Sequence, residues 1–124
     1  MQAPLSFVAQ SESTDTVILI VGDVGRWRKA GRALPQLDGL TFAEMRELSA
    51  CFLHQACPDV VLSPAIAATF DAVELARFLY ETGYFGRYRA ISDGLPNLGL
   101  IRREVRAVAP LLDFGIIDVK ELLL

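Results

Sequence analysis

Serine, aspartate and glycine residues follow several apolar runs of the sequence, at the points where buried strands would end. The backbone amides of a glycine turn with an arginine beside them can bind a phosphate, and a serine beside an acid can take part in acyl transfer. Parallel strands bring their C-terminal ends to one edge of a sheet, where ligands bind in open α/β folds. The candidate ligand-binding residues at that edge are Gly22, Asp23, Gly25, Arg26, Ser63, Ser92 and Asp93.

The motifs that would specify either chemistry are incomplete. The segment from Gly22 to Arg26 lacks the GxGxxG spacing of a dinucleotide site, so an ordinary glycine turn and a phosphate cradle both stay open. Neither Ser63 nor Ser92 lies in a GxSxG turn. The single histidine, His54, falls on the polar side of a predicted helix, which indicates an exposed residue. We therefore predict no catalytic residue, no metal site and no cofactor.

The two cysteines point the same way. Cys51 and Cys57 are six residues apart on or near one helix, which places them on different faces and beyond the reach of a disulfide. There is no CxxC pair, and one histidine cannot complete a metal cluster with two thiols at this spacing. We predict two free thiols with a structural, buried role.

Composition limits the classes of function. The 124 residues suit one domain, and a net charge of −3 with a pI near 5.1 argues against a general nucleic-acid binder. No apolar run approaches the roughly 18 residues that span a bilayer, and Met1–Gln10 lacks the basic start of a signal peptide. We expect a cytoplasmic protein with no membrane partner. The hydrophobic fraction of 52% is high for this length, which indicates either well-covered helices or apolar surface kept for a partner.

Four apolar runs predict strands at 16–21, 59–63, 88–92 and 112–117. The first two are apolar at successive positions, as in strands of a parallel sheet that is buried on both faces. A brief edge strand is predicted at 32–34, where Pro35 would stop it.

Helix signals lie between these runs. Residues 26–30 predict a short helix closed by Gly31, and Thr41–Glu44 predicts a capping box that begins a helix ended by Pro58. Asp71 and Asn97 are predicted N-caps of two further amphipathic helices. The alternation predicts a doubly wound, flavodoxin-like α/β fold with a mostly parallel sheet of four or five strands, three main helices and a shortened first and last helix. We divide the chain into an N-terminal arm, residues 1–15, and a single domain, residues 16–124.

Three segments resemble the receiver domains of response regulators. Ile18–Asp23 is similar to the hydrophobic first strand that ends in acidic residues, and Pro58–Pro64 to the proline-aspartate pair that leads into the third strand. Ser92 stands where receivers place their switch serine or threonine. The resemblance covers roughly residues 16 to 118, and it implies a receiver-like strand order.

This sequence departs from the receiver pattern at the phosphorylation site. Gly22 stands where the first metal-binding carboxylate would be, Ser63 or Pro64 where the acceptor aspartate would be, and Asp118 or Val119 where the lysine would be. The resemblance therefore implies a degenerate, phosphorylation-independent receiver that acts as a non-catalytic signalling or protein-interaction module. The alternative is a small ligand- or nucleotide-binding α/β enzyme with its site at the C-terminal ends of the strands.

Two surfaces are candidates for contact with proteins. Arg102, Arg103 and Arg106 share one flank of the third main helix, which predicts either a solvated face or a site for an acidic partner that remains unknown. The first and last helices are short, so one sheet face should be poorly covered. We expect a second copy to cover it in a homodimer, or the arm to fold over it. The residues predicted for this interface are Leu5, Phe7, Val8, Trp27, Leu122, Leu123 and Leu124.

Overall fold

The computed structural model describes residues 16–31 and 38–119, in which five strands alternate with four α-helices. The strands are four to six residues long, and β1 is apolar at every position. The two longest helices, α3 and α4, carry their apolar residues at helical spacing. The elements are β1 Ile18–Val21, α1 Val24–Lys29, β2 Leu40–Ala43, a 3₁₀ turn Met45–Glu47, α2 Ala50–Ala56, β3 Val60–Pro64, α3 Ala72–Glu81, β4 Arg87–Ser92, α4 Leu98–Val108 and β5 Asp113–Asp118.

The five strands form one sheet in the order β2-β1-β3-β4-β5, and every neighbouring pair is parallel. This architecture confirms the predicted doubly wound α/β fold. The chain steps outward from β1 to β2 and then crosses back to β3, so the strand order reverses between β1 and β3. In folds of this kind a crevice opens at that point, beyond the C-terminal ends of the two strands.

Right-handed crossovers place α1 on one face of the sheet and α2, α3 and α4 on the other. We call the side under these three helices the covered face. Its strand residues are fully buried, and so are the helix residues that pack on them. The strand residues are Leu19, Val21, Val61, Tyr88 and Ala90, and the helix residues are Leu53, Leu75, Ala76, Leu79 and Val105.

The opposite side of the same strands is only half-buried, and we call it the half-covered face. Ile18 and Ile20 of β1 and Val60 and Leu62 of β3 point to this side, and each keeps partial exposure. Ile91 of β4 is 36% exposed there. Arg87 and Arg89 of β4 lie on the same side, so the half-covered face carries residual apolar surface on β1 and β3 and charged side chains on β4.

The predicted helix start at Thr41 is wrong. Residues Leu40–Ala43 form the edge strand β2, which pairs with β1 from Ile18↔Leu40 to Val21↔Ala43. Helix α2 begins only after Ser49, whose side chain accepts a hydrogen bond from the Phe52 amide at 3.0 Å. A strand partner for β1 overrides the local capping signal, because that pairing satisfies the backbone of a buried strand. The predicted strand at 32–34 lies outside the described residues.

Other local predictions are confirmed or corrected at single residues. Asp71 caps α3 by accepting the Glu74 amide at 3.0 Å, as predicted. Gly31 and Gly83 both adopt positive φ, which suits glycine after a helix end. Asn97 precedes α4 but is itself left-handed, with φ 58°, and its side chain makes no capping hydrogen bond. Asn97 therefore holds the predicted N-cap position but does not cap α4 with its side chain, because its left-handed backbone lacks the extended conformation of a capping residue.

Candidate functional site

Asp23 lies directly after β1, at the crevice between β1 and β3. Its Oδ2 accepts a hydrogen bond from the Ala68 amide at 2.9 Å, and its Oδ1 accepts a longer one from the Thr69 hydroxyl at 3.4 Å. Ala68 and Thr69 belong to the loop between β3 and α3. The carboxylate therefore ties the end of the first strand to the loop that follows the third strand.

The side chain of Trp27 covers the backbone of Gly22. The half-buried indole of Trp27 lies over Gly22, and a Cβ atom built on that glycine would overlap the indole atoms Cη2 and Cζ2. The position where the receiver resemblance expects an acidic residue thus has no room for any side chain while the indole stays in place. The predicted interface residue Trp27 packs within its own chain at this edge.

The amide of Gly25, in the first turn of α1, already has an anionic partner. Gly25 donates to Oε2 of Glu44 at 2.8 Å, and the other oxygen, Oε1, lies 3.0 Å from Nε of Arg46. Glu44 was not predicted as part of this edge, because its pattern with Thr41 indicated a helix cap. The Glu44 carboxylate thus occupies the position in which a phosphate would accept the Gly25 amide. Arg26 is exposed beside it.

Ser63 is fully buried, on the covered face. Its Oγ lies 2.6 Å from the hydroxyl oxygen of Tyr88, and its own hydrogen is donated to the carbonyl of Pro64 at 2.9 Å. Because the Pro64 carbonyl can only accept, the arrangement that satisfies both hydroxyl groups has Tyr88 donating to Ser63. Burial raises the pKa of Tyr88 far above its ordinary range. Tyr88 was not singled out from the sequence, where it stood only as one residue of an apolar run.

Ser92 is also fully buried, while the neighbouring Asp93 is exposed. The Ser92 Oγ accepts the Leu95 amide at 3.3 Å and so holds the turn that leads into α4. The seven predicted ligand-binding residues therefore do gather at one edge of the sheet. At this edge both serine hydroxyls, the Asp23 carboxylate and the Gly25 amide are bonded within the chain, whereas Arg26 and Asp93 face solvent.

The three arginines of α4 are exposed, as predicted, but they do not share one environment. Arg102 and Arg106 flank a small cavity of about 100 Å³, whereas Arg103 is not among the residues that line it. The cavity lies between the second half of α4 and the start of β5, and Val105, Ala109, Pro110, Leu112 and Phe114 complete its lining. Leu111, in the turn beside it, is 86% exposed.

A cavity of about 860 Å³ opens at the opposite edge of the sheet, between the C-terminal ends of α2 and α3. Cys51, His54 and Cys57 line it together with Phe85, which is 97% exposed. Both thiols are free, as predicted, but they are exposed rather than buried. His54 is exposed, which confirms the surface location. Within residues 16–31 and 38–119, no three His, Cys, Asp or Glu side chains are grouped so that they could hold a metal ion.

The predicted interface residues Leu5, Phe7, Val8, Leu122, Leu123 and Leu124 lie outside the described residues. In the part of the chain that the structure describes, no helix has the length and apolarity to cross a membrane. Comparison of the chain with protein-family models, curated proteins and solved structures gives no match.

Proposed function

We propose that this protein is a protein-interaction module with a receiver-like fold that works without phosphoryl transfer. The observation that carries the proposal is the internal hydrogen bonding at the C-terminal ends of the strands. A catalytic or ligand-binding edge needs polar groups that are free to meet a substrate. Here Ser63 is bonded to Tyr88 and Pro64, and Asp23 is bonded to Ala68.

The chemistry of phosphoryl transfer gives the same answer. A receiver needs several oxygen ligands for Mg²⁺, because this ion keeps its waters unless several oxygens converge. It also needs an aspartate to carry the phosphoryl group. Gly22 has no side chain and is covered by Trp27, and β3 ends in a buried serine and a proline. These residues support the proposal that the receiver-like fold binds proteins and is not phosphorylated.

Intact-protein mass spectrometry after incubation with acetyl phosphate and Mg²⁺ tests this part of the proposal. A receiver domain with a complete acidic site serves as the positive control and should gain one phosphoryl group. This protein should keep its mass. A stable gain of one phosphoryl group, lost again on hydroxylamine treatment as an acyl phosphate would be, contradicts the proposal.

The proposed module is a homodimer in which the half-covered faces of two copies meet. The support is the partial exposure of Ile18, Ile20, Val60 and Leu62, together with Ile91 at 36%. Contiguous apolar surface of this kind usually marks an interface, and a two-fold axis lets the same patch serve both copies. Interfaces of stable dimers bury on the order of 800 Å² on each partner, so residues around these five would have to join the interface.

Light scattering at micromolar concentration tests the dimer. Ile91→Asp places a charge on the half-covered face and should give a monomer that remains folded by circular dichroism. Leu100→Asp is the matched control, because Leu100 is 46% exposed on α4, away from that face. A native chain that is monomeric, or equal dissociation by both variants, contradicts the proposed dimer. The pair Leu122→Asp and Leu123→Asp tests whether the C-terminal leucines contribute.

A further inference from the structure

The flank of α4 that faces the start of β5 is basic in a chain whose net charge is −3. Arg102 and Arg106 are four residues apart and therefore lie on the same side of the helix. Like charges at this spacing repel each other, and in the described parts of the chain no carboxylate lies within ion-pair distance of either guanidinium. Arg106 lies in the last turn of α4, where a cation interacts favourably with the helix dipole, but no carboxylate in these parts of the chain neutralises either guanidinium.

The cavity between these two arginines has the size of a small anionic group. Its volume is about 100 Å³, the share of about three liquid waters, which suits one carboxylate with its neighbouring methylene. The cavity is lined by the two arginines and by apolar residues, of which Val105 and Ala109 are almost completely buried and so add little surface. Hydrogen bonds from a guanidinium to a carboxylate are roughly twice as strong as neutral ones, so the two arginines would dominate the binding of an anion here.

An apolar anchor is fixed beside the cavity. Leu111 is 86% exposed, yet its turn is closed by hydrogen bonds from the Leu112 amide to the Ala109 carbonyl at 3.2 Å and from the Ala109 amide to the Val105 carbonyl at 2.7 Å. Pro110 further restricts the backbone of this turn. The exposed side chain therefore stands on a backbone that is already ordered, which lowers the entropy cost of binding.

We propose that this cavity, lined by Arg102 and Arg106, binds an acidic segment of a partner protein together with the neighbouring exposed Leu111. A Glu or Asp carboxylate of the partner lies between the two guanidinium groups, and an adjacent aliphatic side chain packs on Leu111. The proposal rests on the proposed interaction function and names the chemistry of the partner. It also assigns different roles to the three arginines. Arg102 and Arg106 line the cavity and contact the carboxylate, whereas Arg103 does not line it and contributes only general electrostatic attraction.

The test uses the full chain and the synthetic peptide acetyl-Glu-Leu-Asp-Glu-Leu-amide, titrated to millimolar concentration and followed by amide chemical shifts. We expect the largest shifts at residues 102–114 and no binding of the peptide in which Gln and Asn replace Glu and Asp. Arg102→Gln and Arg106→Gln should each raise the dissociation constant at least about fivefold, since each removes one charge-assisted contact. Leu111→Ser should also weaken binding.

Arg103→Gln is the matched control, because it removes the same charge from the same helix. It should change the dissociation constant by less than about twofold, the size expected for a screened charge at the rim of an interface.

Equal weakening by all three arginine variants, binding of the uncharged peptide, or no shifts at millimolar peptide overturns the proposal. Preferential binding to phosphatidylserine vesicles would overturn it as well and would identify an anionic membrane surface as the ligand. Arginine and glutamine have similar helix propensities, so α4 should stay folded in every variant. None of these results depends on phosphate uptake, so this proposal and the phosphorylation-independent function can fail separately.

Discussion

The hydrogen bond between Ser63 and Tyr88 should make the two single substitutions at this pair unequal. In Tyr88→Phe, Ser63 keeps its own donation to the Pro64 carbonyl and loses only one incoming bond. The net value of one such bond is about 1 kcal/mol. In Ser63→Ala, the Tyr88 hydroxyl stays in the core with no acceptor, and an unsatisfied buried donor costs about 1–3 kcal/mol. Ser63→Ala should therefore destabilise the protein more, by roughly 2 kcal/mol against roughly 1 kcal/mol.

The double variant decides whether this reasoning is right. With both hydroxyl groups removed, no polar atom of the pair is stranded, so the combined loss should be about 1 kcal/mol rather than the sum of about 3 kcal/mol. The coupling energy is then about 2 kcal/mol, which lies above the scatter of additive pairs. Urea unfolding followed by far-ultraviolet circular dichroism measures each free energy of unfolding, provided that the slope against urea is unchanged.

Tyr84→Phe provides the control for this double-mutant cycle. The Tyr84 hydroxyl donates to the Arg87 carbonyl at 2.9 Å and has no contact with Ser63. Its combination with Ser63→Ala should be additive within about 0.5 kcal/mol. An additive Ser63 and Tyr88 pair, or a larger loss in Tyr88→Phe than in Ser63→Ala, would refute the assignment of Tyr88 as donor to a buried serine.

Three further predictions concern other parts of the fold. Asp71→Ala removes the N-cap of α3 and should lower the free energy of unfolding by about 1 kcal/mol in urea titration. Asp71→Asn should lower it much less, and equal losses would contradict the capping role. Gly86→Ala should destabilise the protein by about 1–3 kcal/mol, because the new Cβ would overlap the Tyr84 side chain. Gly99→Ala should stabilise it by about 0.5–1 kcal/mol, because this position in α4 has open space. Thermal melts that reverse this order would contradict the structure. Partial burial raises the pKa of Tyr84 to about 12, so the protonated hydroxyl contributes stability that is complete below pH 10 and lost as the pH rises through 12. Between pH 8 and pH 11 the urea midpoint should fall less in Tyr84→Phe than in the native chain, and equal falls would contradict the raised pKa.

The sequence alone was sufficient for the elements whose burial is visible locally. The continuous apolar runs that became β1 and β3 are typical of parallel strands covered on both sides, and they predicted the doubly wound fold. Asp71 with Glu74 three residues later marked the start of α3, because an N-cap acts within one turn of its own helix. Each of these signals involves residues close in the chain.

Strand β2 shows where local signals fail. Thr41 and Glu44 have the spacing of a capping box, but residues Leu40–Ala43 pair with β1 instead. The choice depends on a buried strand that needs a hydrogen-bonding partner about 20 residues away, and no local pattern reports that need.

The state of the candidate site was likewise decided by tertiary structure. The sequence predicted that Asp23, Ser63 and Ser92 gather at one edge, because parallel strands end there. It did not determine which face of the sheet each side chain joins, since runs that are apolar at every position do not mark one face as the buried one. Packing of α2, α3 and α4 put both serines inside. Strand pairing brought Tyr88 to Ser63 across 25 residues and Glu44 to Gly25 across 19 residues. Groups that the sequence left free for chemistry are thus bonded within the fold, because buried polar atoms and helix-end amides must find partners wherever the chain folds.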